Sequence, residues 1–277
     1  MKPVRYFEYF SRLRALFGFR AAAAFAFAHL RNVFAPPKNG NLASIPVGPY
    51  VFYFPFLDHF VGLFNEIFFK ETYFIEATQK PIRVLDCGAN IGVSLLYIKI
   101  RAPHAQVVCF EPNPAARAVL EKNIAANRWE KEVKVIPVAL GNKKGTVEFF
   151  VTDKVATSSD GSTANYLTQK GRELNSYTVN VDVLSHYIDG KIDLLKMDIE
   201  GPELDVLEEL RDSKKLSSIA AIQLEYHYIP GFFTRPVSDL LVLLQMAGFR
   251  TFVESIALPH QVVGRDAMHA YMVFAWR

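Results

Sequence analysis

Beyond residue 80 the apolar positions of this chain fall into short blocks of alternating character. Ile82–Asp86, Gln106–Phe110, Val133–Val138, Ile192–Asp198 and Ile219–Glu225 are apolar runs of strand length. Between them, Ile91–Arg101, Pro114–Asn127 and Pro202–Leu210 carry apolar residues at helical spacing. Pro236 opens a further helix that Gly248 closes, and Phe249–Glu254 and Ala270–Ala275 finish the strands. Gly145–Val151 and Tyr177–Val181 predict an added β-ribbon around the polar loop Thr157–Thr168. Strand–helix alternation at this spacing argues an α/β fold: a doubly wound, mostly parallel, seven-stranded Rossmann-like sheet carrying that ribbon.

The first eighty residues follow another pattern. Phe7, Phe10, Leu13 and Phe17 share one side of a helical wheel, with Arg5, Glu8 and Arg12 opposite. Such a helix either packs on its own domain or a partner subunit, or lies on an anionic membrane surface. The apolar stretch Ala21–Leu30 reaches roughly 15 Å as a helix, against a hydrocarbon core of about 30 Å, so it does not span one. A basic start before an Ala/Phe run has the outline of a secretory leader, but Arg20 interrupts it and the basic region is long. Ala35–Pro49 holds four prolines and two glycines and predicts a turn-rich crossing. Tyr50–Phe54 predicts an aromatic strand, and Phe60–Tyr73 has apolar residues at helical spacing around Glu66 and Glu71. The expected organisation is a helical extension and linker over residues 1–49 and one domain over 50–277, its nucleotide-binding core starting near residue 81.

Composition narrows the class. Half the residues are hydrophobic and a fifth charged, which excludes disorder and fibrous repeats. A net charge of +3 is too small to argue for nucleic acid, so no nucleic-acid partner is expected. Cys87 and Cys109 give no disulfide framework, read as small buried side chains, and fit a reducing, cytoplasmic compartment, with the basic N-terminal helix as the possible point of membrane contact.

Four strands end in a carboxylate: Asp86, Glu111, Asp198 and Glu225. In a parallel sheet these ends share the edge where open α/β sheets bind ligands. Four acids there repel one another unless a polyol, a cation or fixed donors offset them. The first turn reads Asp86-Cys87-Gly88-Ala89-Asn90-Ile91-Gly92, with glycines four apart, which is not the pyrophosphate-binding spacing. Gly88 admits a ligand to the backbone, so a bulky residue there is expected to block binding and spare the fold; Gly92 lets the next helix sit close. Glu111, 25 residues past Asp86, stands where an acid accepts bonds from ribose hydroxyls.

Asp86–Ser94 resembles the first motif of Rossmann-like S-adenosylmethionine-dependent methyltransferases. Val84–Ser94, Phe110-Glu-Pro-Asn-Pro114, Lys196-Met-Asp-Ile-Glu-Gly-Pro-Glu203 and Gln223-Leu-Glu-Tyr-His227 resemble the FkbM family, and Phe52–Tyr73 resembles the segment that often precedes its core. The resemblance implies methyl transfer to a hydroxyl of a sugar, glycan or secondary metabolite, with S-adenosylmethionine as cofactor and no divalent metal. It implies that Asp86, Gly88, Asn90, Gly92 and Asn113 border the cofactor, that Glu111 holds the ribose, that Ala139 lies near adenine, and that Asp198 faces the amino group or the acceptor.

An alcohol loses a proton on methylation, and Glu200 or His227 is the candidate base, with Asp198 orienting. Against this, Asp198 and Glu200 also suit caps for the helix opening at Pro202, and His227 a structural histidine. Phe52, Tyr53, Phe54 and Phe56 read as core before acceptor platform, and Gly161-Ser162-Thr163 as loop or acceptor contact. Two rival functions are an NAD(P)-dependent oxidoreductase or epimerase, to which Tyr166 and Lys170 give a chance spacing match, and a catalytically silent cofactor-binding module.

Overall fold

The computed structural model describes residues 3–34, 42–152, 162–163, 174–229, 231–256 and 269–277. Helix α1 (Pro3–Phe34) leads to a hairpin of β1 (Ala43–Val47) and β2 (Tyr50–Phe54), then to α2 (Leu57–Phe64), which runs into a π-turn over Asn65–Phe69. Next come β3 (Arg83–Cys87), α3 (Val93–Arg101), β4 (Gln106–Phe110), α4 (Pro114–Ala126) and β5 (Val133–Ile136). A separate three-stranded sheet follows: β6 (Ala139–Leu140), β7 (Gly145–Thr152) and β8 (Leu174–Asp182). Strand β9 (Ile192–Met197), α5 (Glu203–Asp212), β10 (Ile219–Tyr228), α6 (Val237–Met246), β11 (Arg250–Ser255) and β12 (His269–Trp276) complete the described chain.

Seven strands form the central sheet in the order β11-β12-β10-β9-β3-β4-β5. All pairs from β5 to β10 are parallel, as the alternation predicts. Strand β12 runs antiparallel to both β10 and β11, so the sheet as a whole is mixed. Successive side chains of a strand point to opposite faces, and Val84 and Leu85 accordingly enter different cores. One core holds α3, α4, the hairpin and α1; the other holds α5, α6 and the interior of β9 and β10. Both cysteines are free and buried, and burial pushes their thiols well above the ordinary range.

The N-terminal third departs from its pattern in three places. Residues 43–47 fall in the stretch read as linker, yet they pair with β2, Ile45 opposite Phe52. Pro46 is tolerated because an outer strand of a two-stranded ribbon needs no donor on its free side. The helical run from Phe60 stops at Phe69, where Lys70 N bonds Asn65 O at 2.9 Å, a five-residue step that widens the last turn. Helix α1 breaks at Gly18, whose φ of 83° and ψ of 174° belong to glycine alone. Leu13, Ala22 and Phe25 are buried in the core, and Phe17 meets Phe64 and Phe68 edge-on at 5.9 and 5.6 Å. This helix packs on its own domain. Among the described residues no helix is long and apolar enough to cross a membrane.

Two asparagine amides, on α4 and at its C-cap, seat the hairpin. Asn123 Oδ1 accepts from Tyr53 N at 2.7 Å, and its Nδ2 donates to Tyr53 O and Ile91 O, each at 3.0 Å. One turn on, Asn127 repeats the exchange with Val51. The side chains stand in for a neighbouring strand. Phe52 and Phe54 are thereby fixed as core, not as a ligand platform.

Candidate active site

The loop between β3 and α3 forms the middle of the site. Gly88, Asn90 and Gly92 all have positive φ, at 79°, 49° and 92°. A Cβ on Gly88 would stand 1.8 Å from the carbonyl oxygen of Asp198. The neighbouring strand end therefore demands this glycine, and a bulky residue there would damage the fold, contrary to the sequence expectation. Gly92 is favoured by its φ of 92°, and its Cβ would lie 2.7 Å from Leu120 Cδ1 on α4, which would have to shift. Asparagine tolerates the left-handed region, and Asn90 steadies it by accepting Ile91 N on its own Oδ1 at 2.7 Å.

Glu111 follows β4 and is buried. Its Oε2 accepts from Asn90 N and its Oε1 from Asn113 N, both at 2.8 Å. Burial pushes its pKa up to about 7 against the pull of those two amides. Asn113 caps α4, its Oδ1 accepting from Ala115 N at 2.9 Å and Ala116 N at 3.4 Å. The carbonyl end of β5 leads to Ala139, which lies with Val138, Leu140 and Phe149 on an apolar wall.

Asp86 is 0 % exposed. Its Oδ2 accepts from Ser94 Oγ at 2.7 Å, and Lys196 Nζ stands 3.2 Å from Oδ1. Lys196 is itself buried and donates to Gly88 O at 2.7 Å and Cys87 O at 3.2 Å. Burial disfavours its charge, but Asp86 and Asp198 hold the proton and leave its pKa above the usual lysine value. The sequence reading left Asp86 among acids awaiting a ligand; an internal cation already offsets it. A lysine inside an apolar strand was the available signal, and the register that sets Asp86 opposite Lys196 was not.

Beyond β9 the acids gather. Asp198 Oδ2 accepts from Tyr73 Oη at 3.4 Å. Glu200 has a φ of 61°, and its backbone oxygen accepts from Ser162 Oγ at 2.9 Å. Neither caps α5, whose first residue is Glu203; there Glu203 Oε1 takes Gly201 N at 3.0 Å instead. His227, at the end of β10, holds Glu203 Oε1 at 2.9 Å through Nδ1, while Nε2 stands 3.5 Å from Glu200 Oε2 and 3.4 Å from Glu225 Oε1. Burial disfavours the charged ring, yet Glu200 and Glu203 outweigh it and raise its pKa well above the ordinary value. The sequence reading took His227 as a candidate base; the structure sets it behind the cleft, with carboxylates facing both ring nitrogens. Glu66, brought in by the π-turn, was not singled out. Burial and then Glu225 and Asp198 push its pKa up to about 7.

These pieces enclose a solvent-open cleft of about 940 Å³ at the carbonyl ends of the parallel strands. Gly88, Asn90, Glu111, Asn113, Ala139, Asp198 and Glu200 all border it, with Glu66, Tyr73, Thr163 and Lys196. Asp86, Gly92 and His227 do not; they stand behind its wall. Strand order divides the cleft. Glu111 and the apolar wall lie on the side of β4 and β5, and Asp198 and Glu200 on the side of β9. Tyr166 and Lys170 lie outside the described residues, as does Gly161.

Residues 86–251 match the family model described as the methyltransferase FkbM domain. The chain is 31% identical over 248 residues to the AMB antimetabolite synthetase AmbE of Pseudomonas aeruginosa, covering 76% of this chain but only 11% of that protein. It is 31% identical over 173 residues to the methyltransferase sdnD of Sordaria araneosa, covering 53% of this chain and 67% of the relative. Identity is 27% over 235 residues to the 31-O-demethyl-FK506 methyltransferase FkbM of Streptomyces tacrolimicus, covering 73% and 88%. A sheet carrying its glycine loop and strand-tip acids in this order, with a domain match across more than half its length, makes the chain a member of the FkbM family of methyltransferases.

Proposed function

We propose that this chain transfers a methyl group from S-adenosylmethionine to a hydroxyl oxygen of a sugar, glycan or other small-molecule acceptor. The cleft carries the reading: a buried carboxylate and an apolar wall on one side of the glycine loop, and half-buried carboxylates on the other. Glu111 fits a ribose, because each of its oxygens holds one backbone N–H and keeps a lone pair for a hydroxyl. Phe110, Val138, Ala139, Leu140 and Phe149 fit the flat face of adenine. Relatives support the oxygen acceptor, since the Streptomyces protein is named for methylating a demethylated oxygen.

When bound, S-adenosylmethionine supplies a methyl group already activated on a sulfonium. The protein's part is to align the acceptor oxygen with that methyl for in-line transfer, which supplies several kcal/mol of the barrier. Glu200 borders the cleft; in this reading it accepts the hydroxyl proton, with Asp198 orienting. A positioned base adds roughly 10²–10⁴-fold. His227 acts through Glu200, as a neighbouring positive charge behind the wall.

Calorimetry with S-adenosylhomocysteine tests the reading. One site is expected, with no binding of NAD(H) or NADP(H). Glu111→Gln removes a charged acceptor and is expected to weaken binding about tenfold, since hydrogen bonds to charged groups contribute about 1.5–3 kcal/mol. Glu200→Gln is expected to cut radiolabelled methyl transfer into a cell-extract fraction far more than it cuts that affinity. Saturation by NAD(P) without any by S-adenosylhomocysteine would sink the reading.

A further inference from the structure

We propose that the chain self-associates through β11, two copies pairing this edge strand antiparallel across a two-fold axis at Phe252 and joining their central sheets into one. The proposal does not depend on the methyl-transfer reading. Strand β11 ends the sheet and, among the described residues, has a neighbouring strand on one side only. The backbone groups along its outer side are a ready template for another strand. Proteins protect such edges with very short strands, lysine, proline or bulges. The opposite edge follows that rule: β5 has four residues and an exposed Lys134. Strand β11 does not. Its six residues include neither lysine nor proline, and it pairs with β12 from Arg250 to Ser255 without a bulge.

Apolar side chains are exposed on both faces of this edge. On one face Phe252 is 57 % exposed, its ring 6.1 Å from that of Phe274, and the exposed Trp276 stands in register with Arg250. On the other, Val253 packs into the core beneath α6, whose outer ridge carries the exposed Val242 and Met246, the latter at 84 %. Apolar exposure gathered at one edge, unlike single scattered residues, marks an interaction site. Charge selects a second copy as the occupant. A two-fold axis perpendicular to the sheet keeps each face on its own side, so residues set opposite one another are both even-numbered or both odd-numbered. Arg250, Phe252 and Glu254 share the exposed face. Centred on Phe252, the pairing sets Arg250 against Glu254 of the other copy, twice over, with the two Phe252 rings side by side between them. Centred on Thr251 it would set Glu254 against Gly248, and centred on Val253 it would set Arg250 against Ile256, so both ion pairs are lost. Opposite charges directly across two strands stabilise the pair, and like charges destabilise it.

Sedimentation equilibrium of the full chain over a concentration series reads the association, and a monomer–dimer equilibrium is expected. Arg250→Glu sets like charges against each other at both ends of the pairing and is expected to weaken the dimer about tenfold or more. Glu254→Arg is expected to do the same. The double reversal Arg250→Glu/Glu254→Arg regenerates both pairs and is expected to recover wild-type association. Phe252→Cys is expected to give a dimer that a short bis-maleimide cross-links, because position 252 faces its own copy. The wild type is expected to resist the reagent, since Cys87 and Cys109 are buried. Circular dichroism and melting temperature establish that each variant is folded. A chain that stays monomeric at every concentration overturns the proposal and leaves the edge to a different protein. A dimer indifferent to Arg250→Glu, a double reversal no tighter than the single ones, or no cross-link through Phe252→Cys also overturns it.

Discussion

Lys196 sits in β9 among Ile192, Leu194, Leu195 and Met197, where an ammonium group is costly to bury. Asp86 and two backbone oxygens of the glycine loop surround it, so the pair offsets its own desolvation and ties β9 to the loop that lines the cleft. Removing one partner of a buried pair costs about 3–5 kcal/mol, because the other is left charged and uncompensated. Lys196→Met is therefore expected to lower the unfolding free energy read from urea titration by that much, and Asp86→Leu added to it to restore part of the loss. Two losses that simply add would refute the coupling. The apolar run around Lys196 was legible in the sequence, and so was Asp86 at a strand tip. That the two face each other follows from strand register, which residue types do not reveal.

At the scale of elements, the hairpin of β1 and β2 joins the sheet domain through amide side chains on α4. Asn123 reads in sequence as an ordinary helix residue, yet it is fully buried and satisfies three backbone groups, two on β2 and one in the glycine loop. Asn123→Leu would strand those groups at about 1–3 kcal/mol each where they stay dry. A loss of about 3 kcal/mol by thermal unfolding is expected, together with faster hydrogen exchange at the Tyr53 amide. Unchanged exchange at Tyr53 would mean that the hairpin is held by its aromatic residues alone. The π-turn works at the same scale. It ends a helix that periodicity extends to Tyr73, and it delivers Glu66 to the cleft. Helical spacing was legible there; the widened turn depends on packing that the spacing does not encode.

For the molecule as a whole, two cleft carboxyls make stability depend on pH. Glu66 and Glu111 both have folded-state pKa values raised to about 7 by burial, from an ordinary 4.5. Below the ordinary value both folded and unfolded chains are protonated, and neither group costs anything. As pH rises from there to about 7, the unfolded chain releases protons that the fold retains, so stability falls by up to about 3 kcal/mol per group. The ligand-free Glu66→Gln/Glu111→Gln double variant is expected to lose this decline between pH 5 and 8 relative to the wild type, read as melting temperature; parallel curves would show that neither group is held protonated.

The alternation of strands and helices, the glycine loop, the strand-tip acids and the family were all settled by the chain itself, because periodicity and motif spacing are local properties carried along the backbone. Only the folded arrangement decided which acids face the cleft and which are already neutralised. Asp86 is matched by Lys196, His227 is held by Glu203, and Glu66 arrives from outside the core motifs. Charge and proton affinity at a buried site depend on neighbours contributed by distant segments, and those neighbours exist only once the sheet has chosen its register and the helices have packed against it.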